Sequence, residues 1–176
     1  MHAYKTLLIS VLLGSTSSLS LADSFEWSDV GFRGGIDAES DLDIQSYELF
    51  TTIESPWEWD VNDLIELRLD FELSGGVLDG EGETSVFTHA APRLEIEIDN
   101  LPFEIIASSG PAYLSEHEFK HRDLGGSFQF MSAIGFDFEV VDDWTFGYRF
   151  RHISNAGIYE KNPGLDLHLI TLAYGF

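Results

Sequence analysis

The sequence predicts an all-β chain, an eight-stranded antiparallel transmembrane β-barrel behind an export signal. Three observations carry that expectation: polar and apolar residues alternate at period two through most of the chain, the links between alternating segments are short and long in turn, and the chain stops on an aromatic residue, Phe176.

Composition narrows the class first. The 176 residues include 31 Asp and Glu against 9 Lys and Arg, a net charge of −22, together with 14 Phe, 6 Tyr and 4 Trp. Nucleic acid is excluded as a partner, because phosphate contact needs Lys and Arg, and the aromatic content excludes a disordered acidic chain. Cysteine is absent, which removes disulfides, thiol nucleophiles and Cys-ligated metal.

Met1 to Ala22 read as a secretory signal. Lys5 supplies the positive start, Leu7 to Leu13 the apolar stretch, and Ser20-Leu21-Ala22 the small-x-small site before Asp23. The expected division is residues 1–22 as signal and 23–176 as barrel. Beyond the signal no run approaches the roughly 18 to 20 apolar residues of a membrane helix, which leaves a soluble exported protein or a membrane barrel.

The strands are expected, in order, at Val30 to Asp37, Leu42 to Ile53, Ile65 to Leu73, Arg93 to Asp99, Phe103 to Tyr113, Ser127 to Glu139, Trp144 to Ser154 and Gly164 to Phe176. The third is the clearest: Ile65, Leu67, Leu69, Phe71 and Leu73 alternate with Glu66, Arg68, Asp70 and Glu72. A soluble β-sandwich would alternate too. The barrel is preferred because Ser55 to Val61, Asp99 to Pro102 and Val141 to Asp143 read as tight links, whereas Ser74 to Thr84, Leu114 to Gly126 and Asn155 to Pro163 read as longer polar ones. All four tryptophans, Trp27, Trp57, Trp59 and Trp144, fall at the short-link end, where an interfacial girdle would sit.

The charged face then points inward. Arg33, Arg68, Arg93, Arg149 and Arg151 are expected to pair with Glu66, Asp70, Glu95, Glu104 and Asp137, in an interior filled by side chains rather than open as a pore.

The last hairpin concentrates the chemistry. Trp144, Phe146, Tyr148, Phe150, His152 and Ser154 share one parity, so outward aromatics put His152 and Ser154 on the lipid-facing side. Asp166, His168, Ile170, Leu172, Tyr174 and Phe176 share a parity on the final strand, whose two faces are both apolar enough to leave its inside ambiguous. A hairpin across Asn155 to Pro163 can pair His152 with Asp166 on that outward face. Ser, His and an acid together suit acyl transfer, with Ser154 as nucleophile, His152 as base and Asp166 fixing the imidazole. On spacing alone, a polar strand end running into an exposed loop is the competing explanation.

The wording of the segment adds to this. His152-Ile153-Ser154-Asn155-Ala156-Gly157-Ile158, then Asn162-Pro163-Gly164, then Tyr174-Gly175-Phe176 resembles the lipid A 3-O-deacylase (PagL-like) family of outer-membrane barrels. The resemblance implies an esterase that hydrolyses the ester-linked 3-hydroxyacyl chain at the 3 position of lipid A in the outer leaflet, without a cofactor or metal. It implies base and nucleophile roles for His152 and Ser154, and an oxyanion or supporting role for Asn155 and Asn162, with the Gly157 amide a further donor. Where the best-known form has a glutamate, this chain has Asp166, one methylene shorter. Phe146, Tyr148 and Phe150 would lie along the acyl chain. The implied partners are lipopolysaccharide as substrate, outer-membrane lipid, and the barrel assembly machinery through Phe176; a homodimer is one assembly open to the chain.

Other features are plainer. Asp79-Gly80-Glu81-Gly82-Glu83 reads as a solvated acidic loop, and His89, His117, His121 and His168 as too scattered for a metal site, although His168 lies on the active face. Lys120 and Arg122 are candidates to meet lipid phosphates, against a plain mixed-charge loop. A non-catalytic barrel serving adhesion or envelope integrity remains the alternative to the hydrolase.

Overall fold

The computed structural model describes residues 25–39, 43–120 and 122–176. The expected signal at 1–22, the start at Asp23, Leu42 and His121 lie outside them. The strands are β1 (Glu26–Asp37), β2 (Gln45–Glu54), β3 (Glu58–Asn62), β4 (Ile65–Gly80), β5 (Glu83–Ile98), β6 (Glu104–Leu114), β7 (Glu118–Phe119), β8 (Arg122–Asp123), β9 (Phe128–Val141), β10 (Trp144–Ser154) and β11 (Leu165–Gly175).

One antiparallel sheet runs β2-β1-β11-β10-β9-β6-β5-β4-β3, and pairing of β2 with β4 closes it. β2 and β3 are two parts of one wall strand. β2 follows β4 from Gln45↔Asp79 to Ile53↔Phe71, and β3 continues from Glu58↔Arg68 to Asn62↔Ile65. Pro56 has no N–H to give the ladder, and Ser55 patches the break, donating its N–H to Asp70 Oδ1 at 3.0 Å and its hydroxyl to the Leu69 carbonyl at 2.5 Å. Counted this way the barrel has eight strands, as expected, while β7 and β8 form a separate small hairpin above it.

Two links differ from their expected places. The turn expected across Ser55 to Val61 lies at Asp63 and Leu64, because β3 occupies most of that segment. The long polar loop expected across Ser74 to Thr84 is largely strand, with β4 and β5 running on to a turn at Glu81 and Gly82. Gly76 admits the next strand, since a Cβ there would lie 2.2 Å from the Tyr47 carbonyl oxygen.

Alternation sorts the two faces. Val30, Phe32, Leu49, Val86, Ile134, Ile170 and Leu172 stand exposed on the outer wall, and the four tryptophans are exposed at the short-turn end. On β11 the ambiguous parity resolves: Leu165, Leu167, Leu169 and Thr171 are buried inside, so Asp166, His168 and Ile170 face out.

The interior has two zones. The loop end is stoppered by Ile44, Leu78, Phe87, Leu114, Phe119, Leu124, Ile153 and Leu165, all buried. Below it lies an ion-pair network, and the short-turn end keeps a cavity of about 600 Å³ lined by residues including Asp29, Glu54, Arg68 and Glu104. The interior is therefore filled from the outer end through the ion-pair network and open at the short-turn end, a correction to the expectation of packing throughout. The network keeps Asp70, Glu95 and Asp137 as expected partners of the arginines and adds Glu48 and Glu72. Arg33 binds Glu48 at 2.7 Å and Glu72 at 2.5 Å, Arg151 binds Glu48 at 2.7 Å, Arg149 binds Asp137 at 2.6 Å, and Glu95 takes Arg68 at 3.1 Å and Arg93 at 2.5 Å. Glu66 and Glu104, expected as partners, belong to none of the ion pairs formed among the described residues; each stands near a strand end, less buried than the network carboxylates.

Glu48 serves two guanidiniums with no exposed side-chain surface. Removing its charge takes the carboxylate from Arg151 and leaves Arg33 with Glu72 alone, so Glu48→Gln is expected to destabilise the barrel by about 3 to 5 kcal/mol. The check is the temperature at which the heat-dependent gel shift occurs in detergent, which should fall for Glu48→Gln and stay put for Glu66→Gln.

Candidate active site

The register of β10 against β11 places His152 directly opposite Asp166. Both face outward at the loop end of the wall, and His152 Nδ1 meets Asp166 Oδ1 at 2.5 Å. Their side chains are 48% and 31% exposed, so the pair is open to whatever surrounds the barrel. Ser154 follows on the same face two residues along, roughly 6.6 Å of strand rise from His152. Its hydroxyl makes no hydrogen bond to a described residue. The imidazole edge carrying Nε2 is bounded by Gly164: a Cβ built there would lie 2.8 Å from His152 Cε1 and 3.5 Å from Nε2. Gly164 has φ of +71°, a conformation natural to glycine.

The two asparagines do different work. Asn155 is fully buried, and its side chain ties the loop together. Its Nδ2 donates to the Leu124 carbonyl at 2.8 Å and the Lys161 carbonyl at 2.6 Å, while its Oδ1 accepts the Gly157 N–H at 2.9 Å. The Gly157 amide is therefore spent on Asn155, which removes it from the set of free oxyanion donors. Asn162 is exposed, and its Oδ1 accepts the Asn155 backbone N–H at 3.0 Å. That bond holds the Asn162 amide against the Ser154–Asn155 peptide, with no described residue bonded to its Nδ2.

Phe146, Tyr148 and Phe150 face outward on β10 below His152. Tyr148 meets His168 Nδ1 at 2.6 Å and packs on Phe136, and Phe150 lies 5.6 Å from the His168 ring. His168 thus shares the outer face but sits one step further from Ser154, already bonded.

Above the wall, β7 and β8 lie across the active hairpin. Lys161 Nζ meets Asp123 Oδ2 at 2.7 Å, and this bond with the Gly125 N–H holds the Asp123 carboxyl down to about 2, so the tie stays ionised at neutral pH. Lys120 pairs with Glu81 at 2.6 Å, and Arg122 with Glu39 at 2.6 Å. Both cations considered for lipid phosphates are engaged within the protein. His117, Glu118 and Asp123 bring ligand-type atoms within 4.8 Å of one another, closer than the scatter of histidines suggested, but the Lys161 ammonium already occupies Asp123.

Sequence reasoning gave no role to Gly164, and nothing in its spacing reveals that it packs on the imidazole. Ser132, the β9 neighbour of His152, was also passed over; only the register brings it there.

The lipid A 3-O-deacylase (PagL) family matches the chain over residues 45–175. A lipid A deacylase PagL of Bordetella bronchiseptica (strain ATCC BAA-588 / NCTC 13252 / RB50) is 40% identical over 74 residues, a match spanning 42% of this chain and 42% of that relative. Among solved structures, the outer membrane enzyme PagL superposes with a TM-score of 0.73 at 21% identity, over 84% of this chain and 99% of that one. The N-terminal β-barrel domain of Pseudomonas aeruginosa OprF gives 0.54 at 11% identity, over 85% and 97%, and shares the fold. With the family's pattern running through three quarters of its length and an outward Ser, His and acid at the rim of the barrel, the chain belongs to the lipid A 3-O-deacylase family.

Proposed function

We propose that the protein is an outer-membrane esterase that removes the 3-hydroxyacyl chain from the 3 position of lipid A, using Ser154, His152 and Asp166. The observation that carries the reading is the 2.5 Å bond from His152 to Asp166 on the outer wall beside Ser154, in a chain of this family. The Asp166 carboxylate accepts a hydrogen bond from Nδ1–H and so leaves Nε2 as the basic nitrogen. Nε2 takes the Ser154 proton as Oγ attacks the ester carbonyl. The tetrahedral oxyanion is met by the unspent Nδ2 of Asn162. The proton then passes to the departing sugar oxygen, the C–O ester bond breaks, and the acyl chain stays on Ser154 until water, deprotonated by His152, releases it as a fatty acid.

The location suits the substrate. A lipid ester lies just under the sugar headgroup, and polar side chains near that interface cost about 0 to 1 kcal/mol, against about 2 to 4 at the bilayer midplane for a charge. Phe146, Tyr148 and Phe150 continue from the site toward the acyl region and supply apolar contact for the chain. The same reading takes residues 1–22 as the export signal and Phe176 as the handle for barrel assembly.

The test is mass spectrometry of lipid A incubated with refolded protein in detergent. Wild type should release one 3-hydroxyacyl group and Ser154→Ala none, with both showing the heat-dependent gel shift of a closed barrel. Equal acyl loss from both would remove Ser154 from the chemistry. Loss from neither would favour a non-catalytic barrel.

A further inference from the structure

We propose that Arg122 is a positioning residue, whose guanidinium fixes the backbone supports of both His152 and Asp166 and so sets the direction of the His152 base. The inference rests on the reading of His152 as general base. Arg122 belongs to the loop between β6 and β9, far in sequence from either residue. Its Nη1 donates to the Gly164 carbonyl at 3.2 Å, and its Nη2 meets Glu39 Oε2 at 2.6 Å.

Each contact leads to one member of the pair. Gly164 bounds the imidazole, leaving no room for a side chain, since a Cβ built on it would lie 2.8 Å from Cε1 and 3.5 Å from Nε2. Glu39 directly follows Ala38, whose N–H donates to the Asp166 carbonyl at 2.8 Å. One guanidinium therefore clamps the segment beside the base to the segment that holds the acid's backbone.

The clamp matters because the ring has few other restraints. The His152 side chain is 48% exposed, its Nδ1 is tied to Asp166, and rotation about the bond to an sp² ring is soft. Without Gly164 held in place, the ring can tilt about the Asp166 bond and carry Nε2 away from Ser154. The planar fork of arginine reaches two acceptors in fixed directions, and its side chain is only 17% exposed, so water does little of this work. Engagement of both ends within the protein also separates this role from the capture of a substrate phosphate.

The experiment measures kcat and KM for release of the 3-hydroxyacyl chain from purified lipid A in detergent micelles. Wild type, Arg122→Met, Arg122→Lys and Ser154→Ala are compared, each refolded and verified by its gel shift. Arg122→Met should lower kcat about 10- to 100-fold, the size of loss that a misplacement near 1 Å produces, with KM within about twofold of wild type. Arg122→Lys keeps the charge, reaches one acceptor and should recover part of that loss. A kcat for Arg122→Met within about twofold of wild type, with Ser154→Ala inactive, would overturn the proposal and leave the hydrolase reading standing. A raised KM at unchanged kcat would also overturn it, by assigning the guanidinium to substrate binding. Activity retained by Ser154→Ala would instead bring down the hydrolase reading itself.

Discussion

Replacing His152 with glutamine is expected to lower ester hydrolysis by about 10⁴-fold or more while the barrel stays closed. Glutamine fills a similar volume and can still hydrogen bond with Asp166, but it cannot take a proton from Ser154 and return it to the leaving sugar. The only other histidine on this wall, among the described residues of β10 and β11, is His168. It lies one two-residue step further from Ser154, with its Nδ1 on the Tyr148 hydroxyl at 2.6 Å, so it offers no substitute base. Folding should be indifferent to the change. His152 is outside the apolar stopper and outside the network that joins Arg33, Glu48, Glu72 and Arg151. Single-turnover hydrolysis in detergent, with the gel shift as a folding check, measures both halves of the expectation. Activity within about tenfold of wild type would remove His152 from the proton path.

How much of this was legible in the sequence follows from how local each feature is. Side-chain parity is a property of consecutive residues, so the outward placing of His152, Ser154 and Asp166 could be read from alternation, and the hairpin loop length gave their pairing. Strand ends were harder. Ser74, Gly75 and Gly76 carry turn residues, yet the ladder continues through them because Gly76 lets β2 come close. The wiring of the interior was readable in part: Asp70, Glu95 and Asp137 take arginines as expected, whereas the partners of Arg33 were missed, because Glu48 stands directly opposite it on β2 and Glu72 reaches it from β4, one strand beyond. Arg122 and Gly164 belong with these. Their role comes from one loop folding over another, 42 residues apart, and the sequence offered only a basic residue in a mixed-charge stretch and a glycine after a proline.

Gly164→Ala is the substitution expected to damage the site most without touching a reacting group. Two effects act together. At φ of +71° an alanine is strained, which destabilises the loop by about 1 kcal/mol or more. Its methyl would also sit 2.8 Å from His152 Cε1, closer than a real Cβ contact, so the ring has to move. A shift near 1 Å in the base is enough to lower turnover about 100-fold. Gly157 in the same loop separates the two causes: it has φ of +80° and nothing within 4 Å of a built Cβ, so Gly157→Ala imposes similar strain with no contact to the imidazole, and keeps the N–H that Asn155 accepts. Turnover lost in Gly164→Ala and largely retained in Gly157→Ala would assign the loss to displacement of His152. Equal losses would instead assign it to loosening of the loop, and would take from Gly164 the role of wall to the base.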